Sequence, residues 1–165
     1  MSTGFRVGIG YDVHRLEEGL PLLLAGVQIP SDLGARARTD GDVVLHALID
    51  ALLGAAALGD IGGMFPETDD RFLGADSSGL LEQALGRVRG AGFAPVNVDV
   101  NVIAETPRLR PHYATMRDRL SALLGLPLDR VSVKARSAEG MGEVGEKRAI
   151  QAQVVVLLEE EAGRA

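Results

Sequence analysis

Two of the chain's three histidines, His14 and His46, stand on polar stripes that also carry carboxylates. Phe5 to His14, FRVGIGYDVH, alternates Phe5, Val7, Ile9, Tyr11 and Val13 with Arg6, Gly8, Gly10, Asp12 and His14. That two-residue period is a strand, so Asp12 and His14 point the same way with their bases roughly 6–7 Å apart. Asp42 to Leu58 is apolar except for Asp42, His46, Asp50 and Gly54, whose spacing of four draws one narrow polar stripe along a helix. An imidazole and two carboxylates in such surroundings are costly unless something binds them. One aspartate and two histidines with a fourth position free make the ligand set of a catalytic zinc ion. The plainer alternative has His14 closing a strand end and His46 as a satisfied core histidine; the shared polar faces weigh towards the metal. Gly8 and Gly10, on the face of Asp12 and His14, leave room for a close approach to the backbone.

Composition narrows the setting. A chain of 165 residues, 46% hydrophobic and 24% charged, fits one domain over 1–165 with a sizeable core. A net charge of −6 argues against a general nucleic-acid binder, though not against an anionic ligand in a local basic pocket. With no cysteine there are no disulfides, and any metal must take nitrogen and oxygen ligands. A strand that starts by Phe5 leaves no space for a signal or transit peptide. The helix over Asp42–Leu58 is too short, and too polar on one stripe, to span a bilayer. The expectation is a soluble, cytoplasmic protein without membrane association.

The elements that must position these residues follow from pattern. Asp40-Gly41-Asp42 supplies turn and N-cap chemistry for the first helix, and Gly59 offers its stop. Leu16–Leu20 reads as a polar loop, Pro21–Pro30 as a hairpin or bent strand around Gly26, and Ser31–Arg38 as a connection. Gly59–Ala75, rich in Gly, Pro and Asp, suggests a lid or a substrate-lining loop. A second helix spans Ser77–Ala91, a strictly alternating strand Val96–Ala104, and a third helix His112–Leu124. Val131–Ala135 and Ala149–Leu158 are strands around a turn rich in glycine and glutamate, and the closing EEEAGRA reads as a frayed tail. Arg108 and Arg110 crowd the start of the third helix, where cations are disfavoured unless an anion joins them. This order predicts an α+β fold, a two-layer sandwich with helices on one face of a mixed four- to five-stranded sheet. A helix apolar on more than one face and a sheet with an outward polar face make a small oligomer plausible.

Three motifs carry a resemblance: Gly-Ile-Gly-Tyr-Asp-Val-His ending at His14, Asp-Gly-Asp-Val-Val-Leu-His ending at His46, and Leu-Gly-Asp-Ile-Gly ending at Gly62, followed by Phe-Pro-Glu-Thr-Asp ending at Asp69. Together they resemble the 2-C-methyl-D-erythritol 2,4-cyclodiphosphate synthases, from about Phe5 to about Leu158. The resemblance implies a phosphorus–oxygen lyase that cyclises 4-diphosphocytidyl-2-C-methyl-D-erythritol 2-phosphate and releases CMP. It implies a homotrimer built around the sheets, with active sites between subunits. Asp12, His14 and His46 become the Zn2+ ligands, and Glu139 the holder of a Mg2+ or Mn2+ ion on the substrate diphosphate. Arg38 and Thr39 stand where a His-Ser pair meets phosphate. Asp60, Gly62, Phe65, Pro66 and Glu67 would meet the erythritol hydroxyls. Ala104, Pro107, Arg108 and Leu109 would hold cytidine, and Ser137 and Ala138 would lie near the phosphates. Asp42 and Asp50, one turn either side of His46, are candidates to orient its ring.

The chain also departs from the family pattern. Ser137-Ala138 replaces a Thr-Thr pair, Glu67 lengthens an aspartate, and Arg108 replaces a lysine. Gly142-Glu143-Val144-Gly145-Glu146 stands where the family reads Gly-Phe-x-Gly-Arg, which changes what lines the trimer axis. Two further readings stay open here. One is a catalytically weak relative that binds zinc and a cytidine nucleotide as a sensor. The other is a metal-dependent phosphohydrolase with water as nucleophile.

Overall fold

A computed structural model describes residues 4–161. In chain order the elements are β1 (Phe5–Glu18), β2 (Leu22–Leu24), β3 (Val27–Ile29), β4 (Leu33–Arg36), α1 (Val43–Ala55), α2 (Ile61–Met64), α3 (Ser77–Gly90), β5 (Phe93–Ile103), α4 (Tyr113–Leu124), β6 (Val131–Arg136), α5 (Gly142–Gly145) and β7 (Ala149–Glu160). The main sheet runs β4-β1-β7-β5-β6, and β2 and β3 form a separate hairpin. Every pairing is antiparallel except β5 with β6. A parallel pair needs a crossover, and α4 supplies it between β5 and β6. The result is an α+β fold on a mixed five-stranded sheet.

α1 is the centre of the core. Val43, Val44, Leu45, Ala47, Leu48, Ile49, Ala51 and Leu52 are all fully buried between the sheet and α3. Its excess of apolar surface is therefore used inside the chain and leaves no spare face for a partner. What brings α1 so near the sheet is a pair of missing side chains. A Cβ on Gly8 would lie 2.0 Å from the Ala51 carbonyl oxygen, and one on Gly10 only 1.7 Å from that of Ala47. The room read at these glycines from sequence is taken by this helix.

The opposite face of β1 is bare. Phe5, Val7, Ile9, Tyr11 and Val13 are all exposed, Val7 and Ile9 to 72% each. On β5, Val98, Val100 and Val102 point into the core, while Asp99 and Asn101 face outward with Lys134, Gln153 and Arg136 as polar partners. Val96 is only half-buried, because a bulge between Pro95 and Asn97 breaks the alternation.

Several boundaries differ from expectation, each for a physical reason. β1 does not end at His14. It continues to Glu18, where Arg15–Glu18 pair with β4 inside the segment expected to be a plain connection. Three of these four, Arg15, Glu17 and Glu18, are charged, as suits the end of the ladder, while Leu16 packs into the core. α1 starts at Val43 with Asp42 as its N-cap and ends at Ala55, short of Gly59, because Ala57 already takes the left-handed conformation at φ 57°. The hairpin around Gly26 is as expected, with Ala25 and Gly26 both at positive φ. α5 interrupts the glycine- and glutamate-rich turn. β7 includes Glu159 and Glu160 of the expected frayed tail; positions 162–165 of that tail lie outside the described residues. Among the described residues, no helix is long and apolar enough to cross a membrane.

Candidate metal centre and cleft

Asp12 and His14 project from β1 on the face of Gly8 and Gly10, and α1 lays His46 directly over them. The Asp12 Oδ2, His14 Nε2 and His46 Nδ1 atoms form a triangle with all three sides 3.0 Å. Ligand atoms about 2.0–2.1 Å from a tetrahedral ion lie about 3.3 Å apart, so the triangle needs to open only slightly to hold one. Three hard or borderline donors, one of them anionic, fit a divalent cation. Burial would raise the Asp12 carboxyl, but His14 and His46, each able to give it a hydrogen bond and a positive charge when protonated on the facing nitrogen, outweigh it and hold that group well below the usual carboxylate range. The site favours an ionised ligand.

The triangle opens into a cleft of about 300 Å³, also lined by Arg38, Thr39, Asp50, Gly62, Phe65, Pro66 and Glu67. Arg38 lies at the rim, its Nη2 donating to Asp70 Oδ1 at 3.0 Å. Asp60 caps α2 by accepting from Gly63 N at 2.7 Å and lies outside the cleft lining. Ala104, Pro107, Arg108, Leu109 and Ser137 line a separate concavity beside α4. Ala138 donates its N–H to Glu105, and Glu139, at φ 54°, accepts from Ser137 Oγ at 2.9 Å. Within one chain, the residues expected at one site thus fall into two groups. Arg148 pairs with both Glu143, at 2.6 Å, and Glu146, so one cation of the same chain offsets part of the charge of these two carboxylates.

Asp42 and Asp50 need correction. Neither is hydrogen-bonded to the His46 ring. Asp42 is fully buried and accepts from the backbone N–H groups of Ala25, Gly26, Val44 and Leu45. Burial raises its carboxyl, against the pull of those donors. As an N-cap its side chain turns back to the free N–H groups of the first turn rather than along the helix stripe. Asp50 accepts from Ile61 N at 2.7 Å, and burial with repulsion from Asp60 and Asp12 raises it. The groups that do face the far edge of the His46 ring are Ser77 Oγ at 2.9 Å and Thr39 Oγ1 at 3.1 Å. Asp40, read from sequence as turn chemistry, holds Ser77. A serine 31 residues from its histidine leaves no periodic signal.

A mixed sheet that offers a carboxylate and two imidazoles at the floor of an open cleft, lined also by an arginine and a hydroxyl, gives a site that could hold a divalent metal ion. The model of the YgbB family matches residues 5–159. The 2-C-methyl-D-erythritol 2,4-cyclodiphosphate synthase of Salinibacter ruber is 52% identical over 154 residues, covering 93% of this chain and 98% of that protein. Among solved structures, the bifunctional IspDF from Campylobacter jejuni is 43% identical with a TM-score of 0.93, covering 96% of this chain; the chain spans 43% of that longer protein. A CDP-bound form of 2C-methyl-D-erythritol-2,4-cyclodiphosphate synthase is 44% identical with a TM-score of 0.86, covering 93% of this chain and 99% of that one. The chain belongs to the YgbB family, whose matched relatives are lyases of isoprenoid-precursor synthesis.

Proposed function

We propose that this protein, acting as one domain over 1–165, converts 4-diphosphocytidyl-2-C-methyl-D-erythritol 2-phosphate into 2-C-methyl-D-erythritol 2,4-cyclodiphosphate and CMP. The observation that carries the reading is the 3.0 Å triangle of Asp12, His14 and His46 at the floor of a cleft rimmed by Arg38 and Thr39. An oxygen of the 2-phosphate attacks the β-phosphorus, a new P–O bond closes the ring, and the bond to the α-phosphate oxygen breaks to free CMP. The nucleophile is already an anion, so the task is neutralising charge and folding a flexible polyol rather than general-base catalysis. Zn2+ on Asp12, His14 and His46 supplies Lewis-acid polarisation of the β-phosphate when bound. Glu139 would hold the accompanying Mg2+ or Mn2+. The Arg38 guanidinium offers paired donors to a phosphate once it exchanges Asp70 for that ligand. Gly62 and the Phe65-Pro66-Glu67 turn grip the erythritol hydroxyls, and Asp60, outside the cleft lining, would exchange its bond with Gly63 N to join them. Ala104, Pro107, Arg108 and Leu109 hold cytidine mostly through backbone groups, with the Arg108 side chain available to its phosphates, and CDP in a relative's structure supports that class of ligand.

Phosphorus NMR of the authentic substrate tests the reaction. Cyclic diphosphate with stoichiometric CMP is expected. Release of inorganic phosphate would make it a hydrolase, and binding without turnover a sensor.

The two halves of the site are brought together if the protein is a homotrimer of two-layer sandwiches packed through their sheets. The exposed β1 face, apolar from Phe5 to Val13, supports this far better than α1 does. Light scattering is expected to report about three times the 17.4 kDa chain mass. Mixed trimers of His46→Ala with Arg108→Glu should regain activity that neither variant has alone. Mixed trimers that form yet stay inactive would place each site within one chain.

A further inference from the structure

Asp40 and Ser77 lie outside the cleft lining, yet the proton inventory around them is tightly determined. Ser77 is fully buried. Its N–H donates to Asp40 Oδ2 at 2.9 Å, and its hydroxyl donates to Asp40 Oδ1. A carboxylate only accepts, so the single hydroxyl proton of Ser77 is committed to Asp40. The Ser77 oxygen therefore turns a lone pair to His46 Nε2, 2.9 Å away. For that contact to be a hydrogen bond, Nε2 must carry the proton. A neutral imidazole has one, so Nδ1 is left with a bare lone pair. That lone pair faces Asp12 Oδ2 and His14 Nε2, each 3.0 Å away. An unprotonated nitrogen against a carboxylate oxygen is repulsive without a positive charge between them. With the other tautomer, Nδ1–H would simply donate to Asp12, and the triangle would be complete as a hydrogen-bonded cluster.

We infer that Asp40 and Ser77 are positioning residues that lock His46 in its Nε2–H tautomer and so present Nδ1 to a cation. The inference deepens the metal reading above and rests on it for its purpose, though not for the tautomer itself. Thr39 borders the same edge of the ring: its oxygen accepts from Gly41 N at 3.3 Å and lies 3.1 Å from His46 Nε2, so with Ser77 holding Nε2–H it serves as a second acceptor for that proton.

The test uses metal-free full-length protein labelled with 15N-histidine, at mildly alkaline pH. Long-range 1H–15N correlation should show His46 protonated at Nε2 in the wild type. Ser77→Ala removes the acceptor, and its His46 should shift towards Nδ1–H. Its affinity for Zn2+, read by competition with a chelator, should fall about 10- to 100-fold, the range seen when an outer partner of a metal-bound histidine is lost. Ser77→Thr, which keeps the hydroxyl, should restore both signals. Nδ1–H in the wild type overturns the inference and needs no variant to fold. So does Ser77→Ala with unchanged tautomer and affinity. A wild type with Nε2–H that takes up no divalent ion overturns the metal centre while leaving the tautomer lock supported, so the two failures are distinguishable.

Discussion

Replacing His46 with alanine is expected to strip the bound metal and to lower cyclisation by about 10²- to 10⁴-fold. His46 Nδ1 is one corner of a triangle whose other two corners come from one strand. Without it, Asp12 and His14 are two ligands on an edge, a set too small for the tetrahedral protein sites that hold zinc firmly. The rate estimate takes the loss of Lewis-acid stabilisation as several kcal/mol, with each ~1.4 kcal/mol worth a factor of ten. Elemental analysis of protein purified without added metal should find one zinc per wild-type chain and almost none in His46→Ala. A variant that retains full occupancy would remove His46 from the metal centre. The far side of the ring offers a contrast. Ser77→Ala keeps all three ligands and should weaken binding without abolishing it.

How much of this was legible in the sequence depends on the range of each interaction. Asp12 and His14 share a face because a strand alternates, and His46 lies on a helix stripe because residues four apart align. Both are local rules, and they bring the three ligands to notice without any partner being known. The partner of the Gly8–Gly10 face was not legible. A gap in a side-chain row says that something comes close, and only the fold shows that it is α1. Asp42 misled for a similar reason. Its spacing from His46 is helical, but as the N-cap it serves the Ala25–Gly26 turn and the first helical turn. Ser77 and Asp40 were invisible as a pair because they meet across 37 residues, and a serine opening a helix is common. The apolar excess of α1 suggested a partner subunit, whereas the bare apolar surface is on the outer side of β1.

The glycine face carries the second large effect, expected from Gly10→Ala. One methyl group there would lie 1.7 Å from the Ala47 carbonyl oxygen, 2.7 Å from its carbonyl carbon and 2.9 Å from Ala51 N. All three are backbone atoms of a largely buried helix, so no rotamer change can relieve the clash, and α1 must lift from the sheet. Overpacking a core usually costs about 1–3 kcal/mol, and a rigid backbone contact belongs at or beyond the top of that range. Against a total stability of about 5–15 kcal/mol, this is a large fraction. The chemistry should suffer first. Lifting α1 raises His46, one residue from Ala47, away from Asp12 and His14 on β1, so zinc is lost from molecules that are still folded. Urea unfolding with parallel metal analysis separates the two losses. Gly86→Ala is the control, because Gly86 lies on the exposed face of α3 with no heavy atom within 4 Å of an added Cβ. There alanine should stabilise by up to about 1 kcal/mol through helix propensity alone. Gly10→Ala with wild-type urea midpoint and full zinc content would mean that α1 does not ride on this strand, and that His46 reaches Asp12 and His14 by some other support.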